Sequence, residues 1–341
     1  MNVGVIGASG YSGGELLRLL AVHPSFGVEY IAAGSNAGTF VTDLHPHLSL
    51  YATRQFEDTN VERMNQCDLL FFALPHGESA KFIQAVNPGV LIVDLGADFR
   101  LKSAASWEKY YGGTYAGSWI YGLPELPGQR EKISIAKRVA NPGCYATSIA
   151  LAAAPALANG LIESGDLVVV AASGTTGAGR KATANLLASE IMGSLSSYKF
   201  GGIHQHIPEV EEILSQISGA DVRLSFTPIL APMPRGILTT LTSTLIKQID
   251  TASVQALYRD FYKDEEFIKV LEGVTMPRTS AVVGSNAAHI QVAIDTRVNR
   301  LIVSAAIDNL GKGAASQAIQ NANIMCGLAE VSGLTSTGLG A

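Results

Sequence analysis

The sequence predicts two domains of different class: an α/β domain built on a doubly wound parallel sheet, and an α+β domain built on a mostly antiparallel sheet. A chain of 341 residues is too long for one ordinary domain, so two domains are expected. In the first part, short apolar runs alternate with helical stretches, which is typical of a parallel sheet covered on both faces. From about residue 165 the chain changes to strands rich in Thr, Val and Ile.

The elements of the first domain are predicted in chain order. A short apolar strand over 2–7 leads into a stretch of helical periodicity over 12–22, and a second strand follows at 28–33. The continuous apolar runs DLLFFALP (68–75) and VLIVDLG (90–96) are bounded by turn residues. Such runs indicate strands that are buried on both faces, as in a doubly wound sheet.

The second domain is predicted from strand-like runs with helices between them. The strands are expected at LVVVAAS (167–173), VRLSFTPIL (222–230), GILTTLTSTLIK (236–247), AHIQVAID (288–295) and RLIVSAAID (300–308). Helical stretches are expected at 181–192, 208–217 and 251–263. The chain closes with a small-residue helix over 311–329 and with LTSTGLGA, a flexible or loosely docked tail.

Composition excludes several classes of partner. The formal net charge is -5 and no Lys/Arg cluster stands out, which argues against nucleic acid or an anionic membrane. No apolar run reaches the roughly 18 residues of a membrane span, and no charged-then-apolar leader opens the chain. Three widely spaced cysteines make a disulfide framework unlikely, and a reducing cytoplasm is expected.

The first chemical signal is a glycine-rich turn, VGVIGASGYSGGELLRLL (3–20). Gly7, Gly10 and Gly13 follow a strand and open a helix, where glycine lets the backbone approach a pyrophosphate at the helix N-terminus. The order of strand, turn and helix favours a dinucleotide site. The alternative is a glycine-rich turn that only packs.

The region after the second strand indicates which dinucleotide is bound. An NAD site usually carries Asp or Glu about 20 residues past the glycines, yet 31–40 has no carboxylate. Ser35 and Asn36 would tolerate a 2'-phosphate, so NADP is favoured. No Lys or Arg lies between Arg18 and Arg54, so no cation close in sequence strengthens that preference.

Cys144 follows a Pro-Gly turn at the head of a predicted helix over 145–159. A helix dipole favours a thiolate there by about 0.3–1 kcal/mol, which is less than the roughly 1.4 kcal/mol of one pKa unit. A working nucleophile therefore needs a further group, most simply a histidine near it in space. The alternative is a small buried hydrophobe.

Two close histidine pairs are available, His45-Pro-His47 and His204-Gln-His206. The second pair precedes IPEVEEIL, in which Pro and Glu suit the first turn of a helix. On an extended lead-in its two rings can face one cleft. A surface loop and metal ligation are the alternatives, and a metal site is not expected because neither C-x-x-C nor H-E-x-x-H occurs.

Two further stretches would bind anions. SGTTGAGRK (173–181) ends a strand with hydroxyls, glycines and two cations. APMPRGI (231–237) places Arg235 in a Pro-rich loop between two strands. Beside a cysteine and a nucleotide site, both are candidates for an acidic substrate, and a solvated loop is the alternative for each.

Nine motifs occur in one order over nearly the whole chain: GASGYSGGELLRLL, LPHG, DLGADFR, YGLPEL, NPGCYAT, SGTTGAGR, HQHIPEVE, PMPRGI and DNLGKGAASQAIQNANIM. In them the chain resembles the N-acetyl-gamma-glutamyl-phosphate reductases (type 1) of arginine biosynthesis. That family is similar in architecture to aspartate-semialdehyde dehydrogenase and, more distantly, to glyceraldehyde-3-phosphate dehydrogenase. The resemblance implies a Rossmann-type NADP-binding domain over 1–144 plus 312–341, and a catalytic and oligomerisation domain over 145–311.

The resemblance also implies a reaction and a site. NADPH would reduce N-acetyl-L-glutamyl 5-phosphate to the 5-semialdehyde through a thioester on Cys144, with His206 as general acid/base and His204 assisting. The cofactor site is predicted to comprise Gly7, Ser9, Gly10, Tyr11, Ser12, Gly13, Ser35, Asn36, Pro75, Gly174 and Asn309. The substrate carboxylate is predicted to contact Arg235. The substrate phosphate is predicted to contact Ser173, Thr175, Gly177 and Arg180.

A homodimer or homotetramer is expected, with a small acyl phosphate as substrate and no nucleic acid or membrane partner. Three alternatives stay open: reduction of another acyl phosphate (aspartyl or aminoadipyl type), a cysteine hydrolase, and a non-enzymatic NADP-sensing module.

Overall fold

The computed structural model describes residues 1–340, and they form two compact units. Unit 1 comprises Met1–Pro124, Gly128–Pro142 and Ala314–Leu334. Unit 2 comprises Glu125–Pro127, Gly143–Gly313 and the residues from Thr335 onward. Compared with the predicted domains, unit 2 also includes 125–127, 143–144, 312–313 and the tail from 335.

Unit 1 is built on a six-stranded sheet in which every neighbouring pair is parallel. Its strands are β1 (Asn2–Ile6), β2 (Gly27–Ala32), β3 (Leu69–Phe72), β4 (Leu91–Asp94), β5 (Ile120–Tyr121) and β6 (Arg138–Ala140). The spatial order is β2-β1-β3-β4-β6-β5, so the chain reverses direction across the sheet between β1 and β3. Ligands of such sheets bind at that switch point, beyond the carboxyl ends of the strands.

Both faces of this sheet are covered by apolar cores. Successive side chains along a strand point to opposite faces, so a single strand contributes to both cores. Val3 and Val5 of β1 belong to one apolar core, whereas Ile6 belongs to another on the opposite face. The helices of this part are α1 (Tyr11–Leu20), α2 (Val41–Leu44), α3 (Val61–Met64), α4 (Ala80–Ile83), α5 (Ala104–Tyr110) and α6 (Gln129–Ser134). The predicted doubly wound parallel sheet is confirmed.

Unit 2 is built on a seven-stranded sheet in the order β11-β12-β13-β10-β7-β9-β8. The strands are β7 (Leu167–Ser173), β8 (Ser196–Ser197), β9 (Leu224–Leu230), β10 (Ile237–Thr244), β11 (Ile268–Val270), β12 (Ala288–Asp295) and β13 (Arg300–Ile307). Only β7–β9 and β11–β12 pair in parallel, and the other four pairs are antiparallel. The predicted mostly antiparallel sheet is confirmed.

The helices of unit 2 are α7 (Cys144–Ala158), α8 (Ala188–Ile191), α9 (His206–Ser218) and α10 (Thr251–Phe261). The helical stretch predicted at 181–192 is wrong, since it holds only a 3₁₀ turn at 184–186 and the single turn of α8. Almost every residue of that stretch is exposed. A short helix without an apolar face to bury is marginal in water, which explains the difference.

After β13 the chain makes a π-helical turn (Gly311–Ala315) and enters the last helix, α11 (Ser316–Met325), which is buried in a core of unit 1. The tail is docked by main-chain hydrogen bonds: Asn286 N–H donates to Thr335 O, and Leu339 N–H donates to Val283 O, both at 2.8 Å. Among the helices of residues 1–340, none combines the length and apolar character needed to cross a bilayer.

Candidate active site

Cys144 is the first residue of α7, and Gly143 before it is in extended conformation. The thiol is partly buried and forms no disulfide, and it lies at the helix end where the macrodipole favours a negative charge. The Gly143 N–H donates to Glu209 Oε1 at 2.8 Å. This buried bond joins the start of α7 to the first turn of α9, because Glu209 lies three residues after the first residue of α9.

Glu209 was not among the predicted site residues. The sequence shows it only as an acidic residue suited to a helix first turn. The structure adds that its carboxyl is 2 % exposed and is bonded to the amide immediately before Cys144. Only the packing of α7 on α9 brings the two positions together, and they are 66 residues apart in the chain.

His204 and His206 are both buried, and their rings meet edge to face with centroids 4.9 Å apart. The Tyr145 ring, next to the cysteine in sequence, lies 5.5 Å from the His204 ring and 6.0 Å from the His206 ring. The His206 backbone N–H donates to His204 Nδ1 at 3.2 Å. That bond assigns Nδ1 as an acceptor, so the proton of a neutral His204 ring lies on Nε2.

The two histidines differ in how readily they can exchange a proton. Burial, with a smaller effect from the charge of Lys199, lowers the pKa of His204 to about 4. His204 is therefore neutral at physiological pH and carries no second ring proton to donate, whereas a general acid/base works best with a pKa near the working pH. His206, the first residue of α9, stays the predicted group for proton transfer.

We expect neutral His204 to make stability depend on pH. Its folded pKa of about 4 lies below the ordinary value of 6.5, so the unfolded chain binds the proton more readily between those values. The contribution of neutral His204 to the free energy of unfolding is complete above pH 6.5 and is lost as pH falls towards 4. It amounts to at most about 3 kcal/mol. The free energy of unfolding of the wild type, measured with denaturant, should therefore fall more steeply across this pH range than that of His204→Gln. Parallel curves for the two proteins would contradict the assignment.

Two phenols adjoin the histidines, the buried Tyr145 and the partly buried Tyr198. The Tyr198 hydroxyl donates to the Tyr145 hydroxyl at 3.0 Å, and the Tyr198 ring meets the His204 ring edge to face. Burial raises the pKa of Tyr198 to about 12 and raises that of Tyr145 further. Both are neutral hydrogen-bonding groups at physiological pH. Neither was predicted: Tyr145 follows Cys144 in the chain, but only long-range packing places Tyr198 beside Tyr145.

The two predicted anion loops lie against each other, backbone to backbone. Gly174 N–H donates to Gly236 O at 2.8 Å, and Thr175 N–H donates to Met233 O at 2.9 Å. A Cβ on Gly174 would lie 2.8 Å from the backbone of Pro234 and Arg235, so only glycine allows this approach. Of the other predicted phosphate contacts, Ser173 is buried, whereas Gly177 and Arg180 are exposed.

Arg235 has a partner that the sequence did not indicate. Its Nε and Nη2 bind the two carboxylate oxygens of Asp308 at 3.0 and 2.5 Å, and Asp308 is fully buried. The neighbouring Asn309 accepts from Gly236 N–H at 2.7 Å and donates to Thr176 Oγ1 at 2.9 Å. In this structure both Arg235 and Asn309 hold the loops together, and their contacts with substrate and cofactor stay predictions.

In unit 1, the glycine-rich turn has the shape that a pyrophosphate needs. Gly7 has φ +85°, and a Cβ there would lie 2.4 Å from Ala73 O. A Cβ on Gly13 would lie 2.5 Å from Gly7 O, so the start of α1 presses directly on the turn. The residues present therefore fit a dinucleotide at the N-terminus of α1, beside Ser9, Tyr11 and Ser12. Pro75 follows β3 at the same edge of the sheet.

The predicted binding site for the 2'-phosphate of NADP lies at the end of β2. Asn36 Nδ2 donates to Ser9 Oγ at 3.1 Å, which places the glycine-rich turn and the end of β2 side by side, and Ser35 is exposed there. Glu57 is a carboxylate that the sequence did not place here: its backbone pairs with β2 through Ile31 and Ala33. Its side chain is bound by Arg63, whose Nε lies 3.0 Å from Glu57 Oε2.

Family comparisons agree with these two units. The description "Semialdehyde dehydrogenase, NAD binding domain" matches residues 2–136, and "Semialdehyde dehydrogenase, dimerisation domain" matches residues 144–309. An aspartate semialdehyde dehydrogenase of Vibrio cholerae shares the fold, with TM-score 0.70, 17% identity, and coverage of 95% of this chain and 98% of that chain. The Candida albicans enzyme, solved with NADP, has TM-score 0.71, 15% identity, and coverage of 95% and 98%.

Sequence relatives are much closer. The N-acetyl-gamma-glutamyl-phosphate reductase of Acidothermus cellulolyticus is 52% identical over 338 residues, covering 99% of this chain and 98% of the relative. That of Arthrobacter sp. is 50% identical over 339 residues, covering 99% of both. Such identity over the full length identifies a family. The chain therefore belongs to the N-acetyl-gamma-glutamyl-phosphate reductases, oxidoreductases of the semialdehyde dehydrogenase family.

Proposed function

We propose that this chain reduces N-acetyl-L-glutamyl 5-phosphate to N-acetyl-L-glutamate 5-semialdehyde and phosphate with NADPH, in arginine biosynthesis. The observation that supports it most is the placement of Cys144 at the start of α7, bonded through Gly143 to Glu209 of α9, the helix that His206 opens. The close relatives are named for the same reaction.

The proposed chemistry begins at the thiol. The Cys144 thiolate attacks the acyl carbon, a C–S bond forms, and the C–O bond to phosphate breaks to leave a thioester. The nicotinamide, when bound, supplies the hydride. His206 donates a proton to the oxygen of the resulting thiohemiacetal and takes it back as the C–S bond breaks, which releases the aldehyde. His204 stays neutral and orients the His206 backbone through its Nδ1.

Substrate recognition is proposed at the joined loops. Ser173, Thr175, Gly177 and Arg180 would bind the phosphate, and Arg235 would bind the α-carboxylate in an orientation set by Asp308. A guanidinium suits both groups because its donors match their oxygens in geometry. In the cofactor site, Asn309 and Gly174 are proposed contacts together with the glycine-rich turn.

The decisive assay runs the reaction in reverse. Phosphate-dependent reduction of NADP⁺ should be fast with N-acetylglutamate semialdehyde and much slower with aspartate semialdehyde. Faster turnover of the aspartate compound would assign the enzyme to another acyl phosphate. An absence of turnover with any semialdehyde would favour hydrolysis or cofactor sensing instead.

We expect a modest preference for NADPH that Ser35→Asp reverses. Two neutral hydrogen bonds from Ser35 and Asn36, of about 0.5–1.5 kcal/mol each, correspond to roughly ten- to a hundredfold. A carboxylate at position 35 repels the 2'-phosphate and can bind the 2'-hydroxyl of NADH. The measurement is kcat/KM for both cofactors in wild type and variant. A wild type that prefers NADH, or a ratio that the substitution does not move, would show that the 2'-position is not recognised here.

A homo-oligomer is proposed through the outer face of the unit 2 sheet. Val168, Thr242 and Ile302 lie in one register row across β7, β10 and β13, and Val168, Val170 and Ile302 are 38–40% exposed. The opposite face is covered by α7, where Ser148 hydrogen-bonds to Thr239. An exposed apolar patch on a sheet marks an interaction site, and the matching family description names dimerisation.

We expect Val170→Glu to weaken this assembly, because a carboxylate in the centre of an apolar interface loses its water without gaining a partner. Light scattering as a function of protein concentration should show a smaller species for the variant. Ile135→Glu is the control, since Ile135 is an exposed apolar residue of unit 1. Equal masses for wild type and Val170→Glu would place the interface elsewhere.

A cytoplasmic location is also proposed. The three cysteines form no disulfide, as is usual in a reducing compartment.

A further inference from the structure

The turn that follows β13 lies directly against the nucleophile. A Cβ on Gly313 would be 2.7 Å from Cys144 Cβ and 3.2 Å from Cys144 Cα, so no side chain fits between them. Gly313 N–H donates to Asp308 O at 2.9 Å, which holds Gly313 to the end of β13. The position of Cys144 therefore depends on where the turn from 308 to 313 lies.

Asp308 connects that turn to two other segments. Its fully buried carboxylate accepts from Arg235 Nε and Nη2, from Gly284 N–H at 2.6 Å and from Leu310 N–H at 3.0 Å. A buried carboxylate bound by several donors fixes its neighbours because losing any donor leaves charge unsatisfied. The loop carrying Arg235 and the turn carrying Gly313 are thus held by one side chain.

The same turn is anchored on its other side by a second buried pair. Lys312 Nζ lies 2.5 Å from Glu125 Oε1, both side chains are fully buried, and Lys312 also lies over the Phe267 ring. Local π-helical geometry like that of 311–315 is rare and is frequent at functional sites. The turn is therefore held rigidly, as a support for Cys144 must be.

We propose that Asp308 is a positioning residue: its carboxylate holds the Arg235 loop and the 308–313 turn in register, and through Gly313 it sets where the Cys144 sulfur lies. The proposal rests on the proposed role of Cys144 as nucleophile. It assigns no contact between Asp308 and substrate. Asp308 acts through Gly313 on the thiol, and separately through Arg235 on the substrate loop.

Asp308→Asn tests this, because the amide keeps the size of the side chain and removes its charge. A displacement of about 1 Å at reacting groups costs roughly a hundredfold in rate, and we expect kcat to fall by about ten- to a hundredfold. The rate of Cys144 alkylation by iodoacetamide, followed by peptide mass, should rise several-fold as Gly313 loosens. Cys67 and Cys326 report on unfolding in unit 1, and their alkylation should not change.

A matched control separates positioning from loss of stability. The buried Tyr258 hydroxyl donates to Ala152 O at 2.8 Å, further along α7. Tyr258→Phe removes a buried hydrogen bond in the same unit and should lower Tm, yet leave kcat and the Cys144 alkylation rate at the wild-type values. If Tyr258→Phe changes kcat and the Cys144 alkylation rate as Asp308→Asn does, a general loss of stability in unit 2 explains the effect and the proposal is wrong.

Gly313→Ala gives a second variant if Asp308→Asn does not fold. Its methyl group collides with Cys144, so kcat should fall and the alkylation rate should change. Wild-type kcat and alkylation in Gly313→Ala overturn the proposal. So does a loss of kcat in Asp308→Asn with unchanged alkylation, because Asp308 then acts only through Arg235. Alkylation needs no substrate, so failure of the proposed reaction would show separately, as a Cys144→Ser enzyme that still turns over.

Discussion

Cys144→Ser is expected to fold normally and to lose nearly all turnover. Serine conserves the volume of a partly buried side chain at the start of α7 and is well tolerated at a helix N-terminus. Its hydroxyl, however, lacks the low pKa that lets a thiol attack without a stronger base. The measurement is kcat in the semialdehyde assay, with thermal unfolding to establish the fold. A serine variant that keeps even a tenth of the wild-type activity would show that the covalent mechanism is wrong.

Cys326→Ser is the matched control for that experiment. Burial raises the pKa of the Cys326 thiol to about 11, and burial does the same for Cys67. Both side chains are therefore thiols rather than thiolates near neutral pH, and neither is expected to react. Wild-type kcat in Cys326→Ser would confine the loss to Cys144. A comparable loss in both variants would indicate a structural effect of removing sulfur.

His206→Asn is expected to lower kcat by about 10²–10⁴, the usual contribution of a positioned acid/base group. Asparagine keeps a polar side chain of similar reach at the start of α9 but cannot exchange a proton. Because the pKa of His204 is lowered to about 4, His204→Asn should cost much less. The measurement is the pH dependence of kcat for both variants. The change in kcat caused by titration of the acid/base group should be absent in His206→Asn and present in His204→Asn.

His47→Asn is the control, since it belongs to the other close histidine pair and is exposed. If His206→Asn leaves kcat intact and His204→Asn does not, the two roles must be exchanged. If both variants turn over normally, the HQH segment has no part in proton transfer.

The elements that depend on local pattern could be predicted closely. The strand predicted at 167–173 has the same bounds as β7, and the strand predicted at 2–7 extends one residue beyond the end of β1. In both, alternating or continuous apolar side chains follow directly from which faces are buried. The stretch at 181–192 shows where this fails, because helical periodicity without an apolar core to pack on does not make a stable helix.

The residues of the candidate site were predictable only where chemistry and local structure coincide. Cys144 and the glycine-rich turn stand at helix starts that the sequence shows. Glu209, Tyr198 and Asp308 could not be predicted, because each bonds to a position between 53 and 73 residues away in the chain. Glu57 likewise reaches the end of β2 only through main-chain pairing with residues 31 and 33.

By itself, the sequence determined the class of each domain, the family, and the place of Cys144 at a helix N-terminus. Periodicity, turn residues and motif order are properties of the order of residues along the chain, so they can be recognised without a tertiary structure. Only the tertiary structure decided that His204 is held neutral, that Arg235 is bound by Asp308, and that Gly313 lies against Cys144. Those features depend on burial and on pairing between distant segments, because the pKa of a group and the orientation of a charge are set by what surrounds them in space.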